Sequence, residues 1–251
     1  RINENPYLDN QLKQLEMQFN ATKQRLQNKF GTQKFIVYFQ SFTNTYAPFS
    51  TLKALYEKAL SFDNVIGLSI GTRTDCVTDE ILDYLVDLSK DKEIWIEFGI
   101  QSFFDETLIN INRGDTASNM KYWINRSKEK GLNVCGHLIY GLPNETQEMM
   151  LETFRQTVEL KVDSIKFHPL YVVKNTLLTN EFKKGRFTPI SEELYIDTVV
   201  KSIKNLPENI SIQRITAGIN DNSLLSPDWC RDKHTQMKNI RLALEKEGFN
   251  Y

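Results

Sequence analysis

The chain has 251 residues, of which 40% are hydrophobic, 25% charged and 11% aromatic. No run approaches the roughly 18 uncharged apolar residues that a membrane-crossing helix needs, and the apolar content is enough to sustain a core, which sets aside the membrane-spanning and disordered classes. Lys and Arg number 31 against 32 Asp and Glu, so bulk positive charge offers no grip on nucleic acid and only a local basic patch would serve.

Cys76, Cys135 and Cys230 are odd in number, far apart and without metal-ligand spacing. They predict no disulfide framework, no metal site within this chain, and a reducing, cytoplasmic setting. The opening Arg1-Ile2-Asn3-Glu4 has no initiator Met and no hydrophobic signal region, which is expected of a chain that begins partway into its gene product.

In chain order, Leu8, Leu12, Leu15, Phe19, Leu26 and Phe30 recur at helical steps and predict an amphipathic helix closed by Gly31. Short apolar runs then predict strands at Lys34 to Gln40, Val65 to Ile70, Ile94 to Ile100, Val134 to Ile139, Ser164 to His168 and Ile210 to Ile215. Helical patterns alternate with them, with caps expected at Ser50, Thr78 and Ser191 and a closing helix from Lys233 to Gly248. Strand-to-strand spacing of about 30 to 45 residues suits right-handed βαβ crossovers, and therefore a parallel (β/α) barrel or a doubly wound sheet. The organisation expected is an N-terminal helical segment over residues 1–33 packing on a barrel core over 34–205, followed by a C-terminal strand and helix extension over 206–251.

Ligands of parallel α/β folds sit at the carboxyl ends of the strands, and here those ends are polar. They read Gln40-Ser41-Phe42-Thr43-Asn44, Gly71-Thr72-Arg73-Thr74-Asp75, Glu97-Phe98-Gly99-Ile100-Gln101, His137-Leu138-Ile139-Tyr140-Gly141 and Lys166-Phe167-His168-Pro169. Glu97 is a carboxyl group inside an apolar strand, which is costly unless it meets a ligand or a partner; Arg73 is the partner expected if its role is a structural ion pair. Glycines 71, 99 and 141 either let backbone approach a flat ligand or serve turn geometry. His137 and His168 are either hydrogen-bonded structural residues or functional ones at the same end. Lys174, Lys183, Lys184 and Arg186, interleaved with Phe182 and Phe187, form either a solvated loop or a phosphate-contacting rim that favours RNA. Nucleophile elbow, phosphate loop, dinucleotide fingerprint and paired-His metal motif are all missing from the sequence.

Taken together, Lys34-Phe35-Ile36-Val37-Tyr38-Phe39-Gln40, Thr43-Asn44-Thr45-Tyr46-Ala47-Pro48, Gly67 through Cys76, Glu97-Phe98-Gly99-Ile100-Gln101-Ser102, Asn112-Arg113-Gly114 and His137 through Pro143 resemble the YhcC/YtqA-like family of radical S-adenosylmethionine (SAM) proteins, related to the catalytic subunit of elongator. The resemblance covers nearly the whole chain. It implies an α/β fold, a partial (β/α)6 TIM-like barrel of the radical SAM type, with SAM and a [4Fe-4S] cluster as cofactors and a 5'-deoxyadenosyl radical as the reactive species. Gln40 and Thr43 then lie toward the methionine of SAM, Thr72, Arg73, Glu97 and Gln101 toward its ribose and methionine, and Ile139 and Gly141 at its adenine. Lys166 and His168 face the substrate as catalytic residues. His137 stands where many of these proteins have Gly.

The family's C-x3-C-x2-C cysteines, in the loop after the first strand, have no counterpart here. That strand and cluster loop are expected upstream of this chain, with a barrel lacking the cluster as the alternative. The resemblance further implies tRNA as substrate, modified at the wobble uridine and contacted by Lys174, Lys183, Lys184 and Arg186, and flavodoxin or ferredoxin as electron donor. Two readings compete with it: a SAM- or nucleotide-binding barrel without redox chemistry, and a non-radical barrel lyase or isomerase with Glu97, His137 and His168 as acid and base.

Overall fold

A computed structural model describes residues 7–249 of the chain. Its contacts divide the chain into two compact units: one running to Phe98 and including Asn125–Val134, the other built from Gly99–Ile124 and from Cys135 onward.

The first unit opens on helix α1 (Leu8–Phe30), closed by Gly31 in the left-handed conformation that its missing Cβ permits. None of its residues is fully buried; its apolar stripe lies half-covered, with the Phe19 ring stacked on Phe62 and edge-on to Phe35. Strand β1 (Phe35–Phe39), helix α2 (Phe49–Leu60), strand β2 (Val65–Thr72), helix α3 (Asp79–Ser89) and strand β3 (Glu93–Gln101) follow. Parallel pairing sets Tyr38 opposite Ser69 and Gly71 opposite Glu97. Strand β2 is buried along nearly its whole length, as expected of a parallel strand covered on both faces. Thr78 caps α3 through the amide of Ile81 as the sequence predicts. Ser50 does not cap α2: that helix starts one residue earlier behind Pro48, whose fixed φ orders the first turn without a side-chain acceptor.

The second unit carries α4 (Asp105–Asn110), the start of α5 (Ala117–Glu129), β4 (Asn133–Tyr140), α6 (Gln147–Glu159), β5 (Ser164–Pro169), β6 (Val172–Val173), α7 (Leu177–Lys183), α8 (Glu192–Lys204), β7 (Ser211–Arg214), β8 (Leu224–Ser226) and α9 (Lys233–Lys246). Strands β4, β5 and β7 pair in parallel, with His137 opposite Lys166 and Lys166 opposite Arg214. Thus β7, which the sequence assigns to the C-terminal extension, lies beside β5. The short β6 and β8 pair antiparallel, and α7 turns the expected basic loop into a helix; both are too short to leave a period in the sequence. An aromatic file, Phe154, Phe167, Tyr140, Tyr195 and Trp229, runs through the core. Its buried hydroxyls are satisfied, Tyr140 by Ser202 and Tyr195 by the carbonyl of Ile215. No helix among the described residues is long and apolar enough to cross a membrane.

Gly67 is the most exacting backbone position of the first unit, because a Cβ there would lie 2.0 Å from the carbonyl oxygen of Glu93. Gly67→Ala must separate β2 from β3, and a loss of at least about 3 kcal/mol is expected in urea unfolding. A loss below about 1 kcal/mol, the cost of an ordinary glycine replacement, would contradict that close approach.

Candidate functional site

In the first unit, the ends of β1, β2 and β3 are fastened to one another by polar side chains. Glu97 is 1% exposed; one carboxyl oxygen accepts from Tyr38 Oη at 2.8 Å and the other from Ser69 Oγ. A buried carboxyl group is tolerable on these terms because each oxygen meets a donor. Arg73 makes an ion pair with Asp75, by two bonds at 2.7 and 2.5 Å. A two-residue reach across a 3-10 turn makes that local pairing the easier one.

Past β1, Ser41 and Phe42 take left-handed backbone, φ 80° and 60°, and Asn44 secures the turn. Its side-chain amide donates to the carbonyls of Phe39, Ser41 and Gly71, its own amide N–H donates to Gly71, and its carbonyl accepts from Tyr56 Oη. Thr45 then bonds Thr72 at 2.5 Å and the carbonyl of Cys76 at 2.7 Å. The neighbour of Thr72 is therefore Thr45, while Gln40 is exposed and Thr43 half-buried. Asn44 and Thr45 stand in the sequence only as members of a motif string, with no role of their own assigned.

In the second unit, the carboxyl ends of β3 and β4 open on a cavity of about 700 Å³. Its apolar wall includes Ile139, Leu142, Leu170 and Phe187, and its polar lining is mostly amide: Gln101, Asn110, Asn112, Asn144 and Asn180. Three of these amides sit on left-handed backbone, Gln101 at φ 70°, Asn112 at 52° and Asn144 at 66°. Such conformations cost on the order of 1 kcal/mol or more each for a residue with a Cβ and persist only where the surroundings enforce them. The enforcing contacts are visible. Arg113 donates to the carbonyl of Gly99 at 2.5 Å, and Ser102 Oγ donates to Glu145 at 2.5 Å while accepting from the amide of Phe104. Burial raises the carboxyl pKa of Glu145 against the hydrogen bonds from Ser102 and Thr107. Glu145 is a positioning residue that the sequence did not single out; its signal was the polar residue two places past Pro143. Gly141, at φ 90°, is glycine because a Cβ would strike Ile190 at 2.7 Å; packing, as well as any ligand, requires it.

The four basic residues divide into two pairs. Lys184 and Arg186 line the large cavity, whereas Lys174 and Lys183 line a separate hollow of about 540 Å³, so α7 stands between the pairs with Asn180 on both. Arg186 is neutralised by two bonds to Glu181, both 2.6 Å. Phe187 is buried and is a wall of the cavity rather than an exposed stacking surface.

Lys166 is 6% exposed in mid-β5. Two residues on, His168 donates from Nδ1 to the carbonyl of Pro169 at 2.8 Å and lies 5.0 Å from the Tyr171 ring. Burial, helped by the charges of Arg214 and His137, pushes the His168 pKa down to about 4 against the Pro169 bond. At neutral pH its ring is uncharged, with Nε2 left as an acceptor.

These features define a class: parallel βα units with polar strand ends, the place where such folds bind ligands. Comparison with known proteins sharpens it. Residues 10–157 match the Radical SAM superfamily and residues 162–246 the Radical SAM C-terminal domain. YtqA of Bacillus subtilis is 34% identical over 242 residues, covering 96% of this chain and 75% of that protein. YhcC of Escherichia coli is 38% identical over 217 residues, covering 86% of this chain and 70% of that protein. A tRNA uridine(34) acetyltransferase of Methanocaldococcus jannaschii is 27% identical over 157 residues, 61% of this chain and 28% of that protein. Among solved structures, Elp3 of Methanocaldococcus infernus, with an N-terminal deletion, aligns at a TM-score of 0.80 and 21% identity over 94% of this chain. This chain spans 60% of that one.

The chain belongs to the radical SAM superfamily, an enzyme superfamily with the partial (β/α) barrel fold. Within it, the chain is a member of the family of YhcC and YtqA, whose cofactors are SAM and a [4Fe-4S] cluster.

The residues present answer differently to the two cofactors. The amide-lined, apolar-floored cavity has the chemistry to take a planar heterocycle such as the adenine of SAM. The cysteines do not have the chemistry of a cluster set: none of the three forms a disulfide, Cys135 and Cys230 are buried, burial pushes the Cys230 pKa up to about 12, and Cys76 is raised by burial and by Asp75. Cluster ligands are thiolates, so these three residues do not form a cluster site.

The His168 environment sets a pH dependence. The folded chain keeps the ring neutral down to about pH 4 whereas the unfolded chain protonates near 6.5, so this group's contribution is complete above pH 6.5 and is lost as pH falls toward 4. Between pH 7 and pH 4 the unfolding free energy of the wild type is expected to drop by roughly 3 kcal/mol more than that of His168→Asn. Parallel curves for the two proteins would show the ring to be solvated.

Proposed function

We propose that this chain is the SAM-binding barrel of a radical SAM enzyme that modifies the wobble uridine of tRNA. The observation that carries the reading is the cavity at the ends of β3 and β4, whose strained amides Gln101, Asn112 and Asn144 surround an apolar floor at Ile139 and Leu142. In this reading Ile139 and Gly141 hold the adenine and Gln101 the adenosyl moiety. In the first unit Gln40, Thr43, Thr72, Arg73 and Glu97 act toward the methionine and ribose.

SAM, when bound and cleaved reductively, would supply a 5'-deoxyadenosyl radical able to take a hydrogen atom from the substrate. The chain's own part is binding, orientation and placement of protons. Lys166 offers an amine donor and His168 a neutral acceptor, a complementary pair for a substrate carrying both donor and acceptor groups, as the uracil ring does. Lys174, Lys183 and Lys184 supply exposed positive charge for phosphates; Arg186 contributes less, being paired with Glu181. The tRNA reading draws support from the relative named as a tRNA uridine(34) acetyltransferase. A cytoplasmic location and an electron donor of the flavodoxin or ferredoxin type belong to the same proposal.

Calorimetry of this chain with SAM tests the cavity: Gln101→Ala is expected to weaken binding by about tenfold, the loss of one or two buried hydrogen bonds. In the full-length, anaerobically purified and reduced enzyme, tRNA lacking the wobble modification should stimulate 5'-deoxyadenosine formation and yield a new nucleoside at that position. Full SAM cleavage with no effect of tRNA and no new nucleoside would overturn the substrate assignment and leave the cofactor assignment standing.

A further inference from the structure

Arg214 ends β7, at the carboxyl end where parallel strands present ligand-binding residues. It is half-buried, and among the described residues its guanidinium makes neither a hydrogen bond nor an ion pair. Other arginines are differently placed: Arg73, Arg126, Arg155, Arg186 and Arg231 each hold a carboxylate. A guanidinium has five donors in a fixed fork, and leaving them unmet in a half-buried position is unfavourable unless something else meets them.

Across the sheet, the residues in register with Arg214 carry basic groups. Lys166 stands opposite it on β5, and His137 stands opposite Lys166 on β4, so three basic residues form one row across three strands. His168 and Tyr171 both feel the Arg214 charge. The Tyr171 hydroxyl also lacks a hydrogen-bond partner among the described residues, and burial raises its pKa, so it stays a neutral donor. A fork and a hydroxyl donor, both unmet, beside a basic row, constitute a receptor for an oxyanion.

We propose that Arg214 and Tyr171, backed by the row through Lys166, bind an oxyanion carried by the enzyme's substrate, a phosphate or a carboxylate. The assignment rests on the reading above only in placing substrate at the Lys166 and His168 end of the strands; it does not require that the substrate be tRNA. Arg214 is then a substrate-binding residue, reached from a strand that the sequence assigns to an accessory extension.

The test is titration of the 251-residue chain with inorganic phosphate, uridine 5'-monophosphate and malonate, followed by calorimetry, for wild type, Arg214→Gln, Arg214→Lys and Tyr171→Phe. Saturable binding is expected in the wild type, weakened about tenfold or more in Arg214→Gln, less in Arg214→Lys, which keeps the charge but loses the fork, and several-fold in Tyr171→Phe. Thermal midpoints within a few degrees of wild type show that the fold is kept, and if Arg214→Gln fails to fold, Arg214→Lys and Tyr171→Phe still decide. Tighter binding of phosphate and the nucleotide than of malonate assigns the oxyanion to a phosphate, and the reverse order assigns it to a carboxylate. No saturable binding in the wild type, or equal binding in Arg214→Gln, overturns the proposal. A tRNA-independent enzyme that retains Arg214-dependent oxyanion binding would refute the tRNA reading alone.

Discussion

A carboxyl group buried in a parallel sheet is the constraint around which the first unit is arranged. Glu97 sits on β3, Ser69 on β2 and Tyr38 on β1, and the two hydroxyls donate to its two oxygens. Parallel strands are joined only by long crossovers and gain no hairpin to set their stagger, so a three-strand hydrogen-bonded link fixes the register that everything at the strand ends depends on. Given that register, Asn44 can reach three carbonyls and Thr45 can reach Thr72, and the turn after β1 is held although Ser41 and Phe42 are left-handed. Without it, the carboxyl group would be an uncompensated burial costing several kcal/mol.

The second unit solves the same problem with different chemistry. Arg113 on the carbonyl of Gly99 and Glu145 on Ser102 tie the turns that follow β3 and β4, and the tied turns hold Gln101, Asn112 and Asn144 in conformations they would otherwise leave. The outcome is a cavity whose polar lining is amide and whose floor is apolar, suited to flat ligands with several donors and acceptors. Preorganisation of this kind lowers the ordering cost of binding, because the amides are already in place. Charge is met unevenly: Arg186 is paired with Glu181, while the Arg214 guanidinium has no hydrogen-bond partner among the described residues.

Much of this is legible in the sequence. The alternation of apolar runs with helical periods announced the βα units, Gly31 and Thr78 marked their boundaries, and the polar strand ends named Thr72, Glu97, Gln101, Ile139, Lys166 and His168 as the residues to watch. The motifs through Gly71-Thr72-Arg73 and Glu97-Phe98-Gly99 carried the family resemblance. Less legible were short elements: β6, β8 and α7 have too few residues for a period to develop, so the basic stretch looked like one loop and proved to be two pairs on either side of a helix. Charge alone suggests Arg73 as a partner for Glu97; that Asp75, two positions along, holds the guanidinium is visible only in the structure.

What the sequence by itself determined is local: periodicity, caps, turn residues and the identity of groups that end each strand follow from neighbours within a few positions, and those fix helix and strand without knowledge of the rest. Only the tertiary structure decided that Tyr38 and Ser69 are the donors for Glu97, that Glu145 secures Ser102, and that Arg214 stands beside Lys166. Each of these pairs residues tens of positions apart, on strands whose register is set by crossovers and packed helices. No pattern along one strand records which residue of another will lie opposite it.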